Sequence, residues 1–152
     1  MADHPVIRKL FHTWFLFRRP MTLGVRVLVE NDGKVLLVRH TYVSGWYFPG
    51  GGVESEETAE QAARKELLEE TGIRVTGPIS LLGVFLNRKV SKRDHVLLYK
   101  CAAWSKAKDF EANREIAEIG FFPIDALPQD TTPATRKRLM EVYSNEEVSQ
   151  YW

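Results

Sequence analysis

Apolar and polar positions alternate in blocks that predict strands early in the chain. Residues 23–30 are rich in valine, and Asn31-Asp32-Gly33 separates them from a second apolar run at residues 34–39. An Asp-Gly step between two apolar runs predicts a β-hairpin, because a tight turn needs residues that accept positive φ. The aromatic stretch 46–48, which ends at Pro49, predicts a short third strand.

The longest helical pattern covers residues 57–71, which are good helix formers apart from their ends, and Gly72 follows where a helix C-cap belongs. Apolar runs at 79–86 and 95–104 flank the basic loop 87–94 and predict an antiparallel pair. A further strand is predicted at 119–123, and a last helix from Thr132-Pro133 to about Tyr143. Strands with helices between and after them predict a mixed α/β or α+β sandwich.

The first segment mixes apolar with basic residues. Residues 6–20 end at a proline and predict a short amphipathic helix. This segment has three interpretations: a helix packed over the body of the domain, a homodimer contact, or a membrane-surface anchor. The last two are suggested by the basic residues beside Trp14 and Phe15, which suit an interface. Residues 1–20 are assigned to this segment and residues 21–152 to one domain.

Composition narrows the class of protein. The 152 residues carry a net charge of +1, so a phosphate site must be a local arrangement and no nucleic-acid polymer is expected as partner. No apolar run reaches the ~20 residues that span a bilayer. The single cysteine, Cys101, lies in an apolar stretch and is expected to be a buried, inert thiol. With no secretory pattern, the expected location is the cytoplasm.

Candidate chemistry lies on the predicted helix. Glu66, Glu69 and Glu70 are spaced i, i+3 and i+4, so their carboxylates share one face. Like charges repel there, and the helix dipole disfavours anions near a C-terminus. Three oxygen ligands suit a hard divalent cation, Mg²⁺ or Mn²⁺. The alternative is a solvated acidic face; the glycine turn 50–52 before the helix favours a metal site with room for a phosphate.

Residues 51–73 resemble the Nudix box, G-x5-E-x7-R-E-U-x-E-E-x-G-U, in which U is aliphatic. Eight of the nine specified positions match, and Lys65 replaces the arginine. The matching residues are Gly51, Glu57, Glu66, Leu67, Glu69, Glu70, Gly72 and Ile73. The resemblance extends more loosely over the hairpin, residues 46–52 and residues 121–128.

The resemblance implies a Nudix-like α/β/α sandwich and a hydrolase that splits a nucleoside diphosphate linked to another moiety. It implies that Glu66, Glu69 and Glu70 bind Mg²⁺ with the Gly51 carbonyl, and that one glutamate, there or elsewhere, activates water. The pair Glu57 and Lys65 would orient these carboxylates; lysine lacks the planar fork of arginine and would hold a glutamate less rigidly.

Other positions have two interpretations each. Glu115 and Glu118 precede a predicted strand, in the region where some members of the family supply an extra metal ligand or base; either is equally well a surface charge. Arg88 in the basic loop either holds a substrate phosphate or is solvated. Trp46 and Phe48 either stack on a base or belong to the core. The leading hypothesis is a metal-dependent hydrolase acting on a nucleoside triphosphate, ADP-ribose, a nucleotide sugar or a similar small molecule. The alternative is a catalytically weakened Nudix domain that binds or senses a nucleotide.

Overall fold

The computed structural model describes residues 9, 13–15, 17–144 and 146–152. From Thr22 onward, eight strands and two helices are assigned within these residues. The strands are β1 (Thr22–Asn31), β2 (Lys34–His40), β3 (Trp46–Tyr47), β4 (Ile73–Val75), β5 (Ile79–Leu86), β6 (Asp94–Cys101), β7 (Trp104–Lys106) and β8 (Ile116–Pro123), and the helices are α1 (Ala59–Thr71) and α2 (Pro133–Tyr143). The predicted mixed α/β class is confirmed.

The N-terminal helix prediction is covered only in part. Helical backbone is present at residues 9, 13–15, 17 and 18. Residues 6–8, 10–12 and 16, which belong to the same prediction, lie outside the described residues. None of the helices in the described ranges is both long and apolar enough to cross a membrane.

The predicted hairpin forms, and its two strands then separate. Asp32 and Gly33 both have positive φ, at 48° and 74°. β1 and β2 are paired only beside this turn, where Glu30 lies opposite Val35. Beyond it β1 pairs in parallel with β6, and β2 pairs antiparallel with β8. The hairpin therefore joins two parts of a mixed sheet.

The main sheet has the strand order β3-β2-β1-β6-β5, with β8 also paired to β2. β5 and β6 form the predicted antiparallel pair. The prediction of one strand over residues 95–104 was wrong: β6 ends at the buried Cys101, and Trp104 begins β7, which pairs with β4 in a separate two-stranded sheet. The chain turns between them, where Thr76 N donates to Ala103 O at 2.9 Å. β8 begins at Ile116 rather than at residue 119.

Alternation along β1 divides the core between the two faces of the sheet. Val25 and Val27 pack in one cluster with Leu67 of α1, whereas Leu28 packs in a second cluster with Leu139 of α2. Because successive side chains on a strand point to opposite faces, the two helices cover opposite sides of the sheet. The result is an α/β/α sandwich.

Local capping fixes the ends of α1, the helix that carries the candidate chemistry. The Thr58 hydroxyl accepts a bond from Gln61 N, and the Gln61 side chain accepts one from Thr58 N. This capping box starts the helix at Ala59, slightly later than the predicted residue 57. Gly72 has φ 74° and ends it in the left-handed conformation, as predicted.

Candidate active site

The glycine turn after β3 is packed along the backbone of β1. Val27 N donates to Pro49 O at 2.9 Å, and Val25 N donates to Gly51 O at 2.8 Å. Gly50 has φ 147°, and a Cβ there would lie 2.0 Å from the carbonyl oxygen of Val25. The turn therefore requires glycine at position 50, and the helix that follows starts from a fixed point on the sheet.

α1 directs Glu70 at this turn. The carboxylate is buried, and Gly50 N donates to Glu70 Oε2 at 2.8 Å. Burial raises the pKa of Glu70 to about 7; the Gly50 bond and Arg26 oppose the rise, and the charges of Glu66 and Glu115 add to it. A carboxylate with so high a pKa lacks full compensation for its negative charge.

Glu66 lies one helical turn earlier, directly against Gly51. A Cβ on Gly51 would lie 2.6 Å from both Glu66 Cδ and Glu66 Oε2, so the missing side chain leaves room for this carboxylate. Burial raises the pKa of Glu66 as well; Lys65 opposes that shift and Glu69 adds to it. Two partly uncompensated carboxylates, those of Glu66 and Glu70, therefore meet at the glycine turn.

Glu69 has a different environment from its two neighbours. Its side chain is exposed and lines a cleft of about 480 Å³ between the end of α1 and residues 108–113. Its charge still helps to raise the pKa values of Glu66 and Lys65, so it remains near the same patch. The structure brings Glu66 and Glu70 together at the glycine turn, whereas Glu69 lies at the exposed rim of this carboxylate patch.

Lys65 forms an ion pair with Glu57. Lys65 Nζ lies 3.0 Å from Glu57 Oε1 and 3.7 Å from Glu66 Oε1. Glu57 Oε2 also accepts a bond from Glu54 N at 3.0 Å. These contacts place one ammonium group between a loop carboxylate and a site carboxylate. The adjacent Arg64 instead pairs with Glu60.

The two glutamates near β8 differ in their surroundings. Glu115 is exposed, and its charge contributes to the raised pKa values of both Glu66 and Glu70. Glu118 lies 3.9 Å from the Arg39 guanidinium on the neighbouring strand. Of the two, Glu115 is the one beside the carboxylate patch.

The remaining predicted substrate contacts lie elsewhere in the fold. Trp46 and Phe48 are 2% and 1% exposed and belong to the core cluster with α2. Arg88 donates to the Tyr151 hydroxyl at 3.0 Å and lies over its ring, 4.4 Å from the centroid. Tyr47 is the half-buried aromatic of the third strand. Neither core ring offers a face to a ligand in this arrangement.

Arg26 of β1 contacts the glycine turn of the candidate site, and the sequence interpretation missed it. Its Nη1 donates to Gly50 O at 2.5 Å and lies 3.4 Å from Phe48 O. Its charge also opposes the rise in the pKa of Glu70. A single arginine among the valines of a strand belongs to no recognisable motif. The one sign of its role in the sequence was a charged residue within an apolar run that was expected to be buried.

The donor set fits a divalent cation such as Mg²⁺. Within the described residues, no three His, Cys, Asp or Glu side chains lie together closely enough to hold a metal ion as they stand. Glu66 and Glu70 nevertheless supply oxygen donors with unbalanced negative charge, and a hard cation prefers oxygen ligands. Glu69 would have to turn inward from the rim to join them.

Comparison with known proteins agrees with the fold and the box. The family model described as the NUDIX domain matches residues 20–143. A protein named ADP-ribose pyrophosphatase from Methanocaldococcus jannaschii is 31% identical over 110 residues, which cover 70% of this chain and 64% of that protein. The matched part therefore spans less than two thirds of that relative.

Solved structures show the same architecture. The crystal structure of a MutT NUDIX hydrolase from Burkholderia pseudomallei aligns with a TM-score of 0.70 and 28% identity, covering 80% of this chain and 97% of that one. The crystal structure of an ADP-ribose pyrophosphatase from Streptococcus suis aligns with a TM-score of 0.63 and 23% identity, covering 84% of this chain and 94% of that one. At this level of identity, the alignment shows the fold alone. The family match, the α/β/α fold and the glutamate helix at the glycine turn lead to one conclusion: this chain belongs to the Nudix family.

Proposed function

We propose that this protein hydrolyses the diphosphate bond of a nucleoside diphosphate linked to another moiety, with Mg²⁺ or Mn²⁺ as cofactor. The observation that carries this proposal is that the carboxylates of Glu66 and Glu70 meet at the glycine turn, where burial raises the pKa of each because its negative charge is not fully compensated. A purely structural helix gains nothing from such a pair. The alternative role, ligand binding without turnover, does not require it.

Glu66 and Glu70 would hold the cation, with Glu69 completing the set and the second lone pair of the Gly51 carbonyl available. The cation would supply positive charge to the phosphate oxygens and make a nearby water more acidic. The side-chain-free turn at residues 50–52 leaves space for the substrate phosphate. A carboxylate that does not bind the cation would accept the proton of the attacking water; Glu115, which is exposed beside the carboxylate patch, is one candidate.

The reaction is a displacement at phosphorus. The water oxygen forms a bond to one phosphorus, the bond to the bridging oxygen breaks, and the other phosphate leaves with that oxygen. Adenosine diphosphate ribose is a natural first substrate to test, because two of the similar proteins carry that activity in their names. Nucleoside triphosphates and nucleotide sugars contain the same linkage.

A screen of these compounds with Mg²⁺ tests the proposal, with released phosphate read after phosphatase coupling. In ¹⁸O-water the label should enter a product phosphate, and exhaustive chelation should abolish turnover. Label at a sugar carbon, or full activity after chelation, would overturn the mechanism. Tight nucleotide binding without any turnover would support the binding-module alternative.

Glu70→Gln supplies the residue-level test. Loss of a metal-holding carboxylate should lower kcat by about two to four orders of magnitude. Glu60→Gln is the matched control, because Glu60 lies on the same helix but is exposed and pairs with Arg64. If Glu70→Gln has wild-type turnover at saturating Mg²⁺, Glu70 is not part of the active site.

A further inference from the structure

Arg26 binds a carbonyl of the glycine turn that receives no hydrogen bond from the backbone of β1. The backbone of β1 donates to the carbonyls of Pro49 and Gly51, which alternate along the turn. Between them, the Gly50 carbonyl receives no bond from any backbone N–H of the described ranges. Arg26 Nη1 donates to it instead, at 2.5 Å. A side chain of β1, rather than its backbone, therefore fixes this carbonyl.

Gly50 is bonded from both sides. Its carbonyl accepts from Arg26, and its N–H donates to Glu70 Oε2 at 2.8 Å. Glycine accepts a wide range of φ and ψ, so its orientation is set by its partners more than by its own preference. Removing one of the two bonds frees the residue to reorient and takes the N–H away from the carboxylate.

We propose that Arg26 is a positioning residue, which orients Gly50 so that its N–H holds the Glu70 carboxylate at the edge of the site. The proposal rests on the hydrolase function proposed above for its kinetic consequences. It assigns Arg26 no contact with the substrate.

The test compares Arg26→Met, Arg26→Lys and the control Arg74→Met, an exposed arginine on β4. Arg26→Met should lower kcat by about 10- to 100-fold, the range for lost orienting contacts, with KM within about threefold. Arg26→Lys should fall between Arg26→Met and wild type, because it keeps the charge and loses the planar fork. In the metal-free protein, the Gly50 amide should exchange with deuterium faster in Arg26→Met, while Arg74→Met should match wild type.

The outcomes separate the possibilities. A raised KM with unchanged kcat would show that Arg26 binds substrate and would overturn the positioning role. Unchanged kcat with unchanged Gly50 exchange would also overturn it. If Arg26→Met does not fold, Arg26→Lys decides by the same two measurements. If the wild-type protein hydrolyses none of the compounds, the proposed function fails. The contact between Arg26 and the turn is then still tested by comparing the Gly50 amide exchange rate and the Mn²⁺ affinity of Arg26→Met with those of wild type.

Discussion

Gly51 determines where the Glu66 carboxylate can lie. A methyl group at position 51 would collide with the end of the flexible Glu66 side chain at 2.6 Å, so this side chain would move before the backbone does. We expect Gly51→Ala to lower kcat/KM by about 10- to 100-fold, the scale of a displaced ligand shell, with little change in thermal stability. Gly52→Ala is the matched control, because its Cβ would meet nothing within 4 Å.

Kinetics and thermal melts of these two variants check the expectation. Equal losses of activity in both would show that the turn tolerates no side chain at all. Equal wild-type activity in both would show that the position of Glu66 is not important for the reaction.

Lys65 provides a second prediction at this scale, since its ammonium lies between Glu57 and Glu66. Lys65→Arg should preserve or raise activity, because arginine adds a planar fork that binds carboxylates more rigidly. Lys65→Ala should weaken Mn²⁺ affinity by about 10- to 100-fold. Titration with Mn²⁺ followed by electron paramagnetic resonance measures this directly. Identical affinities in all three proteins would make Lys65 an ordinary surface charge.

At the scale of elements, the start of α1 depends on the capping box of Thr58 and Gln61. Thr58→Ala removes the acceptor for Gln61 N and should lower the free energy of unfolding by about 0.5–2 kcal/mol. Denaturant unfolding measures the change, and Thr58→Ser, which keeps the hydroxyl, should stay near wild type. A similar loss in both variants would mean that the threonine methyl, rather than the cap, stabilises the helix.

Elements with a local signal were predictable from the sequence. The Asp32-Gly33 turn, Gly72 and the helix begun by Pro133 each depend on neighbours in the chain, and the structure has them where they were expected. The partners of β1 and β2 were not predictable, because alternation within a strand does not specify which distant strand it meets. Three-residue strands such as β4 contain too few positions to show a period.

The candidate site divides in the same way. Helical spacing put the three glutamates on one face, but it did not distinguish the buried Glu70 from the exposed Glu69, since that difference comes from the turn packed against the helix. Arg26 acts through backbone carbonyls far away in sequence, and a contact of that kind leaves no spacing to detect.

At the scale of the whole molecule, Glu30 joins three elements. It accepts a bond from the Tyr143 hydroxyl at the end of α2 and lies 3.1 Å from Lys100 Nζ of β6. The Tyr143 bond first, and then Lys100, hold the pKa of Glu30 below its usual 4.5. A lowered folded-state pKa stabilises the protein above about pH 4.5, and that stabilisation is lost as pH falls through the folded value.

We therefore expect Glu30→Gln to cost less than about 1 kcal/mol of unfolding free energy at neutral pH, as for other partly exposed ion pairs. The difference from wild type should become smaller as the pH falls. Unfolding curves at pH 7 and at pH 3 measure it. A difference that stays constant between the two would assign the effect to packing rather than to charge.

The parallel pairing of β1 with β6 has a consequence for how the protein is made. Thr22 of β1 lies opposite Asp94 of β6, 72 residues later in the chain. A ribosome adds about 5–20 residues per second, so β1 waits roughly 4 to 14 seconds for its partner to be translated. Throughout that time its valines belong to a nascent chain in which this strand has no partner along most of its length, so chaperone binding to the strand would protect the newborn protein.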